Sequence, residues 1–91
     1  MNELSKEEIE ERLNQSILLG EKAKRAWDLY LMDYIINKNQ EIFEQFANAQ
    51  SDIEVLSTKQ FHNAIVELES AIKSDINSGK IAIQQLNEMR K

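Results

Sequence analysis

No proline interrupts this chain, and glycine occurs only twice, at Gly20 and Gly79. With so few breakers, and with the strong helix formers Glu, Lys, Gln, Leu and Ala dominant, almost nothing ends a helix once it has begun. The sequence therefore predicts an all-α fold. Its 91 residues make a single domain, residues 1–91, of a size at which a solitary core leaves a stability margin of only a few kcal/mol. The expected architecture is a long antiparallel helical hairpin with an N-terminal helical extension, two or three helices in all, assembling into an oligomeric helical bundle.

The first helix has a clear start. Ser5-Lys6-Glu7-Glu8 is a capping box, in which the serine oxygen and the Glu8 carboxylate each satisfy a free backbone N–H. Glu7, Glu8, Glu10 and Glu11 complement the positive helix end. Ile9, Leu13 and Ile17 then recur every four residues, and Trp27, Tyr30 or Leu31, Tyr34 and Ile35 continue at helical spacing. Ile42, Phe43 and Phe46 extend the stripe without a change of phase. One helix over about 5–49 is expected, with a bend near 20 or a break in the polar run near 38.

Two further capping boxes, Ser51-Asp52-Ile53-Glu54 and Ser57-Thr58-Lys59-Gln60, place a turn around residues 50–57. Beyond them Phe61, Ile65, Leu68 and Ile72 mark a second helix over about 58–89, with coiled-coil spacing that continues through Gly79, Ile83 and Leu86. Folding the chain about residue 54 pairs positions whose numbers add to roughly 108, which sets Trp27 and Tyr30 against Gly79. On that register Ile9, Leu13 and Ile17 find no partner in the second helix. Residues 5–19 then either fold back as a third helix or dock on another chain. Docking, with Ile9, Leu13 and Ile17 as the oligomer interface, is the expectation.

The chemistry of catalysis is sparse. The chain has no cysteine and one histidine, His62, so disulfides, thiol nucleophiles and thiolate metal sites are excluded together. A di-iron bundle needs a Glu-x-x-His pair, and Lys59 stands where that glutamate would be. No Gly-rich phosphate loop, nucleophile elbow or zinc spacing occurs. The expectation is a non-enzyme with no cofactor and no metal.

Charge limits the partners. The net charge is -5; nucleic-acid and anionic-membrane binding need a concentrated positive surface, so neither is expected. No apolar run approaches the roughly 18 residues of a membrane span, and five glutamates in residues 1–12 replace the basic and apolar regions of a leader. A cytoplasmic protein is expected. Abundant Ile, Asn and Lys with no Pro suit bacterial and phage genomes rich in A and T, in which case a phage product would occupy the host cytoplasm.

Three functional readings follow. The first is a helical protein–protein interaction or self-assembly module, an accessory or regulatory protein of a bacterium or phage. The second is an oligomer that captures a small anionic molecule such as a nucleotide, with Lys22, Lys24 and Arg25 supplying charge and Trp27 and Tyr30 a stacking face. The third is an antitoxin-like or DNA-associated regulator, for which the basic recognition helix is missing. For a protein partner, the acidic end formed by Glu41, Glu44, Asp52 and Glu54 is a candidate surface, opposed by a pole of Lys22, Lys24, Arg25, Arg90 and Lys91 at the far end of the hairpin.

Overall fold

The computed structural model describes residues 5–91 and consists of two long helical arms joined by a tight turn, with no strand among the described residues. Ser5 caps the first arm as its sequence predicts, its Oγ accepting from the Glu8 N–H at 3.1 Å. The arm comprises α1 (Lys6–Ala26), a π-helical turn (Trp27–Leu31) and α2 (Met32–Asn48). Its helical hydrogen bonding runs through Gly20 and through the polar stretch at Lys38. The one irregularity is the π turn, where the Met32 N–H reaches the Trp27 carbonyl.

Ser51 caps the second arm, α3 (Asp52–Met89), accepting from the Glu54 N–H at 3.2 Å, while the Glu54 carboxylate accepts from the Gln50 N–H at 2.7 Å. This reciprocal box holds the turn at residues 49–51, and α3 begins six residues ahead of the expected 58. The second box lies inside α3, where the Thr58 hydroxyl donates to the Glu54 carbonyl at 2.8 Å. Ser57, the capping serine of that box, lies more than one turn inside the unbroken α3, where the backbone N–H groups that it would cap are already taken by the helix.

An earlier turn changes the register. Gly20, not Trp27, faces Gly79, and the two backbones touch: a Cβ on Gly20 would stand 2.9 Å from the Gly79 Cα. No described residue has a positive φ, so close approach is what glycine contributes here. Facing residue numbers add to 99 here and to 100 beyond the π turn, where Ile35, Ile42 and Ile65 form the buried cluster, with Trp27 and Phe61 packed against it. The expected sum of 108 placed the fold four residues too late.

The inward positions of α3 follow a seven-residue repeat: Thr58, Ile65, Gly79 and Leu86 are buried and Ile72 half-buried. The first arm keeps that repeat at Leu13, Gly20 and Trp27, then takes eight residues to reach Ile35 and seven to Ile42. The π turn absorbs the extra residue. Without it, each inward side chain after Trp27 would be rotated by about 100° away from α3. The unchanged phase expected from sequence is thus a phase shift of one residue.

Candidate interaction face

A protein domain ordinarily packs at least two layers of secondary structure around its core. This hairpin has one layer: its extents are 60 × 34 × 15 Å and its radius of gyration is 19.1 Å, against about 12 Å for a compact chain of this length. The inward repeats of the two arms satisfy each other, and the two broad faces remain open. One of them is markedly apolar.

Near the turn this face forms a groove between the arms, lined by Asn39, Phe43 and Phe46 from α2 and by His62, Val66 and Glu69 from α3, with Ile42 as its floor. Phe43 is 74% exposed beside Ile42 at 3%. The repeat extends the same face along the first arm through Met32, fourteen residues before Phe46, and Ile36, seven before Phe43, and both are exposed. Toward the open end a second depression crosses the glycine contact and is lined by Ile17, Glu21 and Lys24 opposite Ile76, Lys80 and Ile83. The face carries polar groups at its edges: Lys73 lies 5.2 Å above the Trp27 ring and bonds Glu69 at 2.7 Å, and Lys24 bonds Asp28 at 2.8 Å.

Of the residues expected to form an oligomer seam, Leu13 and Ile17 lie along α3 within the chain. On the observed register Leu13 lies opposite Leu86, which is buried, and Ile17 opposite Ala82. Leu13 and Ile17 are half-buried, and Ile9 is 36% exposed near the open end. Residues 5–19 neither fold back nor project; they continue α1 along α3. The reason for assigning them to another chain came from the late fold position, and it disappears with the register.

The expected anion site is not brought together. Trp27 turns inward against the isoleucine cluster, whereas Tyr30 is 73% exposed. Lys24 and Arg25 share a depression with Glu21, Asp28 and Leu29, and Lys22 and Arg25 share another with Leu18 and Glu21. Neither ring lines these depressions, and carboxylates interleave the cations, so the local field is mixed. The positive pole also divides: Lys22, Lys24 and Arg25 lie midway along the arm, while Arg90 and Lys91 stand at the open end beside the acidic first turn of α1.

Glu41, Glu44, Asp52 and Glu54 do gather at the turn end, and their duties differ. Glu54 is part of the cap, and Glu41 accepts from Lys38 Nζ at 3.0 Å. That hydrogen bond, with the attraction of the same carboxylate, raises the Lys38 pKa above its ordinary value. Glu44 and Asp52 are exposed. Among the described residues no three or more His, Cys, Asp or Glu side chains come together as a metal site.

The inward stripe of each helix does not contain the apolar face, which lies beside it. Its signal was a second stripe with the same period: Met32 and Phe46 fourteen apart, Ile36 and Phe43 seven apart, Ile76 and Ile83 seven apart. Such flanking apolar positions mark a helix that packs against more than one neighbour. No helix of the described residues is long and apolar enough to cross a membrane. Comparison with protein-family models, with curated proteins and with solved structures gives no match.

Proposed function

We propose that the chain is a helical protein–protein interaction module whose working surface is the apolar broad face containing Phe43, Phe46, Met32, Ile36 and Val66. The observation that carries this reading is an excess of surface. The structure exposes 7331 Å², whereas a compact monomer of 10.6 kDa exposes roughly 5,500 Å². The difference, about 1,800 Å², exceeds the roughly 800 Å² that each partner contributes to a standard interface. Large exposed apolar areas on soluble chains mark interaction sites, and an apolar groove between two helices suits a helix from a partner.

Phe43→Glu tests the reading, since a carboxylate at a position 74% exposed leaves the core untouched. Circular dichroism is expected to match wild type, while self-association and capture of a native partner are both lost. Unchanged association by the variant, or a wild type that associates with nothing, overturns the proposal.

A further inference from the structure

We infer that the π turn is a register switch with two resting places, the observed one at Trp27–Leu31 and a second within residues 34–38. The two are exchanged by turning the intervening helix about its own axis by one residue, or roughly 100°.

The extra residue of the first arm can lie in any interval between successive inward positions, provided that the residue it brings inward is apolar. Moved toward the amino end, it makes the inward series Gly20, Asp28, Ile35 and buries the Asp28 carboxylate. Moved past Ile42, it makes the series Tyr34, Glu41, Ala49 and buries Glu41. Both carboxylates are exposed and paired with lysines, Asp28 with Lys24 at 2.8 Å and Glu41 with Lys38 at 3.0 Å, and the cost of burying a charge opposes both moves. One interval remains. The series Trp27, Tyr34, Ile42 replaces Ile35 by Tyr34 and, one turn earlier, Leu31 by Tyr30.

The sequence between the two places suits either register. Tyr30-Leu31-Met32 and Tyr34-Ile35-Ile36 are apolar triplets four residues apart. In the observed register the middle residue of each faces α3, with Ile35 buried and Leu31 half-buried. Met32 and Ile36 stand on the apolar face, and the exposed Tyr30 and Tyr34, one residue behind the inward positions, on the opposite one. A one-residue rotation sends both tyrosines inward and sets Leu31 and Ile35 where Met32 and Ile36 stood. Asp33, between the triplets, stays in solvent either way. The seam accepts the larger rings because the hairpin is a single layer 15 Å thick, so a phenol oxygen that overshoots it reaches water. Ile35 packs with Ile42, Ile65, Trp27 and Phe61, and this closer filling makes the observed register the more populated one. The switch links the two broad faces: a ligand that distinguishes Met32 and Ile36 from Leu31 and Ile35 on one face shifts the exposure of Tyr30 and Tyr34 on the other.

The chain has two tyrosines, Tyr30 and Tyr34, so meta-fluorotyrosine labels the switch and nothing else. Wild type is expected to show two exposed fluorine signals in exchange with a minor pair of about 0.1–10%. Ile35→Asn removes the filling of the observed register and not that of the other, and should invert the populations. Both signals then move together to a shielded environment and lose access to a soluble paramagnetic agent, while circular dichroism stays helical and unfolding cooperative. Adding Tyr34→Glu to Ile35→Asn leaves neither register filled and is expected to abolish cooperative unfolding. Tyr34→Glu alone, with Tyr30 as the label, should unfold as wild type does and erase the minor signal, and so should deletion of Leu29, which removes the extra residue. A wild type without exchange, fluorotyrosines that stay exposed in Ile35→Asn, an Ile35→Asn chain that does not fold, or a double variant as stable as Ile35→Asn would each overturn the switch.

Discussion

Gly20 and Gly79 each occupy the space that the other's side chain would need: a Cβ at Gly79 would stand 3.0 Å from the Gly20 Cα, and one at Gly20 would meet both the Gly79 Cα and the Asp75 carbonyl at 3.0 Å or less. All of these neighbours are backbone, which cannot rotate aside. Alanine normally stabilises a helix by about 1 kcal/mol over glycine, so the sign of the substitution is informative. Gly20→Ala and Gly79→Ala are each expected to destabilise, by a net of about 1–2 kcal/mol, as the arms separate. Thermal unfolding should show a melting temperature lower by roughly 5–15 °C for each. The double variant should lose less than the sum, because one methyl already opens the gap for the other. A rise in melting temperature for either single variant would contradict the close approach.

The π turn absorbs one residue, and removing one residue there should remove the turn. Deletion of Leu29, which is exposed within Trp27–Leu31, restores an uninterrupted seven-residue repeat from Leu13 to Ile42. Helicity and cooperative unfolding are expected to persist, with a melting temperature equal to or above wild type. Deletion of Gln40, past the π turn, rotates Ile42 by about 100° away from α3 and is expected to lower stability sharply. Equal effects of the two deletions in parallel thermal melts would refute the compensating role of the turn.

Adjacent residues at the groove separate stability from association. Ile42 is buried against Ile35 and Ile65, whereas Phe43 projects into solvent. Ile42→Ala is expected to cost about 2–4 kcal/mol in urea unfolding. Phe43→Ala should change the unfolding free energy of the isolated chain by no more than about 0.5 kcal/mol, and should remove any concentration dependence of the midpoint.

Lys38 supplies the pH-dependent element. Its ammonium bonds Glu41 at 3.0 Å and lies 5.4 Å from the Tyr34 ring centroid, and its pKa is raised by the Glu41 carboxylate. Because the folded pKa lies above the unfolded one, the stabilisation is complete below the ordinary value of 10.5 and is lost as pH rises through the folded value. Lys38→Met keeps the aliphatic stem and deletes the charge. Its melting temperature should sit slightly below wild type by a constant amount between about pH 7 and pH 9, and the gap should close at higher alkalinity. A gap that widens with rising pH would exclude the pairing.

The sequence by itself determined the helical state and the start of the first helix, and it marked Ser51 as one of two starts for the second. Without proline, and with good helix formers on every turn, no local alternative competes, and the capping serines Ser5 and Ser51 act through residues only three positions away. It also determined the inward repeat of α3, because one unbroken helix preserves the phase of its own side chains. Tertiary structure decided the rest. Two capping boxes of similar pattern stood at Ser51 and Ser57, and the choice of the first moved every facing pair: Leu13 and Ile17 gained partners, and Gly79 met Gly20 rather than an aromatic ring. The π turn has no local signature in Trp27–Leu31; it arises because the first arm carries eight residues where α3 needs seven, a mismatch that exists only once the arms are side by side. Which member of Ile42–Phe43 faces inward depends on that same shift, and so does the position of the apolar face.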